Sequence, residues 1–259
     1  MDAPILLTWK DMNAETGLPD WLIREYNTVH TKVMNPEFPC YFGTNAERGG
    51  KLRYTYIERD SIDHLPSTLG EFLRLSRSHP RTRHALVLFA EPEPSEKSLD
   101  FCRDRFWALL QWLHGHDSEP WPDDVPKDPR HPGWEYCFAG EPMFVFSSTP
   151  AYQQRASRNL GKSLVLLFQP RRVFRGIEGG TPGGTASRAK IRAQMLKYDG
   201  MPHHPDMGAY GDPSSFEWKQ FFLPDDNALV SGRCPFHAET HEAPVPVNVA
   251  DQGGHYGRI

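Results

Sequence analysis

Four stretches of the 259-residue sequence crowd together side chains able to do chemistry. Phe38-Pro-Cys-Tyr-Phe-Gly43 sets a thiol between aromatic rings. His131-Pro-Gly-Trp-Glu-Tyr-Cys-Phe-Ala-Gly-Glu-Pro142 gathers an imidazole, two carboxylates, a thiol and three aromatic rings around one turn. Tyr198-Asp-Gly-Met-Pro-His-His-Pro-Asp-Met-Gly-Ala-Tyr-Gly211 pairs two histidines in a polar loop, with Glu217-Trp-Lys-Gln220 after it, and Arg233-Cys-Pro-Phe236 follows. Taken singly, each stretch reads more readily as packing and turn chemistry than as a site. The familiar local signatures are absent: no GxGxxG after a strand, no GxxxxGK[ST], no GxSxG and no HExxH. Gly179-Gly-Thr-Pro-Gly-Gly184 precedes a helix, where backbone N–H groups can hold an anion, but without a partnering lysine it reads as a plain loop. His237 and His241 have metal-ligand spacing only on a helix, which prolines 235, 244 and 246 oppose. Zinc held by His203, His204 and Cys234 is the weaker metal reading, since adjacent histidines rarely reach one ion.

The elements that must position these groups follow from periodicity. Spacings of two to four between Trp21, Ile23, Tyr26, Val29 and Val33 predict a helix over 18–35, stopped by Pro36. Alternation predicts a strand over 51–58, and an apolar run predicts a buried one over 84–90. Thr68-Leu-Gly-Glu71 reads as a capping box opening the helix between them, and Ser95 as the cap of a longer helix after the second strand. Residues 119–132 are loop. A hairpin over 134–146, a strand over 163–169 and a basic helix over 187–198 ending at Gly200 follow, while 216–223 is too short to type. The expectation is an α/β or α+β fold: a single domain over 1–237, its mixed β-sheet flanked by helices, and a flexible tail over 238–259.

Composition bounds the function. A formal net charge of -4 opposes a polyphosphate partner, so nucleic acid is not expected. No apolar run approaches the ~18 residues of a membrane span, and Met-Asp-Ala-Pro-Ile-Leu-Leu at the start lacks the features of a secretion signal. A cytoplasmic chain with no membrane partner is expected, its four cysteines free because none are paired as CxxC. Cys102 and Cys137 read as small buried apolar side chains.

Taken together, Phe38-Pro-Cys40, Trp134-Glu-Tyr-Cys-Phe-Ala-Gly-Glu-Pro142, Phe168-Gln-Pro-Arg171, Val173-Phe174, His204-Pro-Asp206, Glu217-Trp-Lys-Gln220 and Cys234-Pro-Phe236 form an ordered series. That series resembles the YqcI/YcgG family over nearly the whole chain. The resemblance implies a heme b-dependent monooxygenase that hydroxylates nitrogen of a small guanidino or amino compound, as in guanitoxin-type and D-cycloserine-type biosynthesis, with O2 and an external electron donor. The alternative is a non-catalytic heme or small-molecule binding protein of the same fold. Heme requires an axial ligand, apolar walls and basic groups for its propionates. Relatives place a histidine in the segment that here reads Thr149-Pro-Ala-Tyr-Gln-Gln-Arg155, and this chain has none there. The axial ligand is therefore not carried over: Cys40 and His204 are the candidates, with Tyr152 and His131 behind them. Arg155 and Arg158 are the propionate candidates. A guanidinium substrate is matched by a carboxylate; Glu141, Glu135 and Asp206 are available, unless they anchor Arg53, Arg155 or Arg158.

Overall fold

The computed structural model describes residues 3–14, 16–210 and 212–238. Among them one mixed five-stranded sheet is flanked by seven α-helices. In chain order these are α1 (Trp9–Ala14), α2 (Asp20–Met34), α3 (Tyr41–Arg48), β1 (Leu52–Ile57), α4 (Leu65–Ser78), β2 (Ala85–Ala90), α5 (Leu99–Gly115), β3 (Tyr136–Phe138), β4 (Glu141–Ser148), β5 (Val165–Pro170), α6 (Pro182–Asp199) and α7 (Glu217–Phe221). The sheet runs β1-β2-β5-β4-β3; β1 and β2 are parallel, and every other neighbouring pair is antiparallel. Apart from Ala238, the expected tail lies outside the described residues, as does His241. No helix among the described residues is long and apolar enough to cross a membrane.

Strand alternation sorts the apolar side chains into two cores. Leu86 and Leu88 of β2, Phe168 of β5 and Met143 and Val145 of β4 face Leu69, Phe72 and Leu73 of α4 and Phe106, Leu110 and Leu113 of α5. Leu52 and Tyr54 of β1 with Val87 and Phe89 of β2 turn to the other side, onto Met12, Leu22 and Tyr26 of α1 and α2. All six residues of β2 are buried because it has a covered sheet on both faces.

Three local expectations are corrected. The helix expected from Thr68 begins a turn earlier, at Leu65, because Pro66 fits a first turn; the Thr68 hydroxyl instead accepts from the Ile5 amide at 2.9 Å and donates to the His64 carbonyl. Ser98, not Ser95, caps α5, accepting from Phe101 N at 3.1 Å. The glycine-dense 179–184 stretch is half helix: Thr181 caps α6 by accepting from Gly184 N, and a Cβ on Gly184 would lie 2.0 Å from the Glu178 carbonyl. The hairpin is as expected, its two-residue turn formed by Ala139 (φ 49°) and Gly140 (φ 69°).

One buried acid ties helix to sheet. Glu25 of α2 accepts the amides of Lys162 and Ser163, each at 2.7 Å, at the entry to β5, and Gly161 permits the approach because a Cβ there would meet Glu25 Oε2 at 2.6 Å. Glu25→Ala orphans the buried Ser163 amide and frees the half-buried Lys162 amide, and should lower stability by about 1–3 kcal/mol, read as the urea midpoint with unchanged slope.

Candidate functional site

β5 pairs with β4 along one side, but β3 pairs only with the first residues of β4, so on that side Phe144–Ser148 has no strand neighbour among the described residues, and α7 packs against β4. A five-residue helix holds no shape of its own; α7 is fixed by a clasp on its C-terminal carbonyls. The fully buried Arg158 donates to the carbonyls of Gln220 (2.9 Å) and Phe221 (3.1 Å), and Ser147 Oγ donates to Phe221 as well. Tyr152 donates its phenol hydrogen to the Leu223 carbonyl at 2.7 Å. Arg155 donates to the carbonyls of Pro224 and Asp226 and to Asn227 Oδ1, and Asp225 returns the favour by accepting the amides of Gln153, Gln154 and Arg155. The three residues expected at heme propionates or as a ligand thus occupy backbone-holding positions.

Held in this way, α7 presents Glu217 to a buried polar nest. Arg171, directly after β5, lies between two carboxylates: its Nε contacts Glu135, and its Nη2 is 3.3 Å from Glu217 Oε1. Tyr210 stacks on the guanidinium, 3.9 Å from ring centroid to Cζ. The Phe174 ring centroid lies 5.4 Å from the Arg171 Cζ, and Phe144, Phe221 and Trp134 continue from it as a series of packed rings, with Phe144 and Phe221 centroids 5.3 Å apart. Glu217 Oε2, Arg171 Nη2 and Trp134 Nε1 are buried without hydrogen-bond partners among the described residues. Two acids share one cation, so the nest has a carboxylate oxygen to spare. Burial pushes the Glu135 carboxyl up to about 7 although Arg171 opposes the rise, and the Glu217 charge adds to it. Burial raises Glu217 as well.

The other expected residues are dispersed. Glu141 pairs with Arg172 (2.5 Å) and Arg77 (3.3 Å), neither of them an arginine singled out for it, so its charge is balanced within the protein. Asp206 accepts the Val230 amide at 2.8 Å and lies 3.6 Å from Lys219 Nζ. Both ring nitrogens of His204 are engaged, Nε2 with the Ala228 carbonyl and Nδ1 with the Asp206 amide. Cys40 caps α3, its sulfur accepting from Gly43 N at 3.4 Å, and burial raises its thiol. His131 is exposed, with Nδ1 accepting from Gly133 N at 3.0 Å. As they are placed, none of these axial candidates fits a heme ligand facing an apolar cavity, and no group of three or more His, Cys, Asp or Glu able to hold a metal ion occurs among the described residues. All four cysteines are free, with Cys102, Cys137 and Cys234 buried. Sequence reasoning reached Glu135 and passed over Arg171, Glu217 and Tyr210, although all three stand in stretches it had singled out.

Two outcomes follow from this geometry. Arg158→Met leaves buried carbonyls orphaned and should cost about 3 kcal/mol or more, measured by chemical denaturation. Glu135 has its pKa raised on folding, so its contribution to stability is fully present below its ordinary value of 4.5 and is lost as pH rises through about 7. Between those limits the loss is about 3 kcal/mol, and Glu135→Gln should flatten that part of the stability curve.

Comparison with known proteins agrees with the series of segments that form this region. Residues 29–237 match the model of the YqcI/YcgG family. The chain is 36% identical over 227 residues to the uncharacterized protein YqcI of Bacillus subtilis (strain 168), covering 85% of this chain and 89% of that one. It is 38% identical over 205 residues to YcgG of the same organism, covering 77% and 80%. A protein of Streptomyces lavendulae provisionally named N(omega)-hydroxy-L-arginine synthase DcsA is 34% identical over 226 residues, covering 85% of each chain. No solved structure matches. With both the family model and these relatives spanning most of its length, the chain belongs to the YqcI/YcgG family.

Proposed function

We propose that this protein hydroxylates a guanidino nitrogen of a small substrate bound at the Glu135–Arg171–Glu217 nest. The reaction takes the guanidino N–H, O2, two electrons and two protons to N–OH and water. The observation that carries the reading is the unpartnered Glu217 Oε2 in a nest with more carboxylate than cation. A guanidinium entering beside it completes the pairing, since a planar fork of N–H donors matches a carboxylate. Phe174 against Arg171, with Phe144 and Phe221 packed behind it, supplies apolar surroundings in which that pairing is strong. Guanidinium nitrogen must shed a proton before its lone pair can be oxidised, and Glu135, raised to about 7, is suited to take one near neutral pH. The name borne by the Streptomyces lavendulae relative supports the same reaction class.

The oxidant is a separate part of the proposal. The family resemblance implies heme b with an external electron donor, which would supply activation of O2 when bound. Because Cys40, His204 and Tyr152 are held by backbone partners and His131 is exposed, heme binding requires another ligand or a rearrangement that frees one of these.

The test is incubation of the full chain with hemin, a chemical or enzymatic reductant and air, across L-arginine, agmatine and a plain alkylamine, with products read by mass spectrometry. Gain of one oxygen on the guanidino compounds is expected, and a Soret band on hemin titration would show that another ligand, or one freed by rearrangement, takes the heme. Glu217→Gln should lower kcat/KM about 10–100-fold, the equivalent of one charge-assisted hydrogen bond. Product without hemin would overturn the cofactor part alone. No product from any guanidino compound would overturn the reaction and leave a binding protein.

A further inference from the structure

We propose that the end of the sheet where β1 and β2 begin and β5 ends binds an oxyanion, a carboxylate or phosphate group, between His84 and Arg172. This site is distinct from the acidic nest: the adjacent Arg171 and Arg172 take different acid partners, Arg171 those of the nest and Arg172 Glu141. It therefore stands or falls independently of the reaction proposed above. Two observations carry it.

The first is a set of buried polar atoms without hydrogen-bond partners among the described residues. His84 is 5% exposed and its Nδ1 has no partner among the described residues, while Arg172 bonds Glu141 through Nη1 and leaves Nε and Nη2 buried and, among those residues, unpartnered. Nε and Nη2 lie on one edge of a planar guanidinium, the arrangement that grips two oxygens of a carboxylate or phosphate. Groups of this kind are nearly always satisfied in native proteins, by protein, water or ligand.

The second is the sign of the surroundings. Register places the start of β1 beside that of β2, Leu52 opposite Ala85, and this brings Lys51 and Arg53 toward His84. The His79 ring, just past α4, is 5.9 Å from that of His84. Arg83 donates to the Arg175 carbonyl at 2.9 Å, which ties two more exposed cations to the same end. Burial and the charges of Arg53, His79, Arg172 and Lys51 push the His84 ring down to about 4, so it stays neutral at pH 7 amid cations. Glu141 at this end is already shared between Arg172 and Arg77, and Glu178 accepts the Gly176 amide beside Arg175. A net charge of -4 over the chain thus coexists with a local excess of positive charge. An anion there compensates it and raises the His84 pKa.

The experiment uses the full chain with labelled histidine, titrated in low-chloride buffer with inorganic phosphate and separately with acetate while the His84 ring resonances are followed by NMR. A saturable shift of those resonances is expected, together with an upward move of the ring's titration midpoint. Tighter binding of phosphate assigns a phosphoryl group, and tighter binding of acetate a carboxylate. Arg172→Gln should weaken binding about tenfold or more, whereas Arg130→Gln, on the 119–132 loop, should not change it. Because Arg172→Gln also removes a partner of Glu141, His84→Asn is measured in parallel by calorimetry and should give the same weakening with that pair intact. Linear, non-saturating shifts with both anions, or saturable binding unchanged in His84→Asn, would overturn the proposal and leave water as the occupant.

Discussion

Arg158 is the constraint on which the region around the nest depends. It is a buried cation with no carboxylate bonded to it among the described residues; its donors go to the carbonyls of Ser147, Gln220 and Phe221, and its guanidinium lies 4.6 Å from the centroid of Phe146. Burying such a charge is tolerable only where several dipoles point at it. The end of α7 provides them, since the last carbonyls of any helix have no partner within it. Cation and helix end therefore satisfy each other, and a helix too short to persist alone becomes fixed against the open edge of β4.

From that fixed point the nest follows by connectivity. Glu217 is the first residue of α7, Arg171 the first after β5, and Glu135 the last before β3. Each sits where a regular element meets a loop, and each is immobilised from its regular side. The hairpin turn is held in a similar way: Ala139, in the left-handed region that disfavours a side chain, has its amide accepted by Asp117 and its carbonyl bonded by Arg77. The same Arg77 reaches Glu141, so the turn, the acid and Arg172 form one connected unit at the end of the sheet.

Much of the fold was legible because its signals are local. β2, α2, α5 and the 134–146 hairpin are long or strongly patterned, and all appear at the expected places. α1 and α3 were missed, being six and eight residues long without a full apolar repeat. The site was legible only in part. Glu135 could be suspected from its crowded stretch, but that Arg171 would stand between it and Glu217 depends on β5 and α7 meeting beside β3, a contact between residues 36 and more apart in sequence. Likewise His204 looked available until the 228–230 backbone was seen to occupy its ring and its neighbour Asp206.

The energetic logic of the nest differs from that of the clasp. The clasp leaves Arg155 Nη1 as its one unsatisfied side-chain donor and strengthens the fold. The nest holds two carboxylates against one guanidinium, raises both acids and leaves a carboxylate oxygen and a guanidinium nitrogen unbonded. Replacement of buried ions by apolar residues of similar volume is often neutral or stabilising, because their desolvation is seldom fully repaid by their attraction. Local departures from the stability optimum of this kind concentrate where a ligand completes the interactions. Stability is therefore concentrated in Arg158, Tyr152 and Arg155, whose partners are all backbone or short polar groups, and the polar deficit is confined to the adjoining Glu135, Arg171 and Glu217, where an incoming cation would find acceptors already in place.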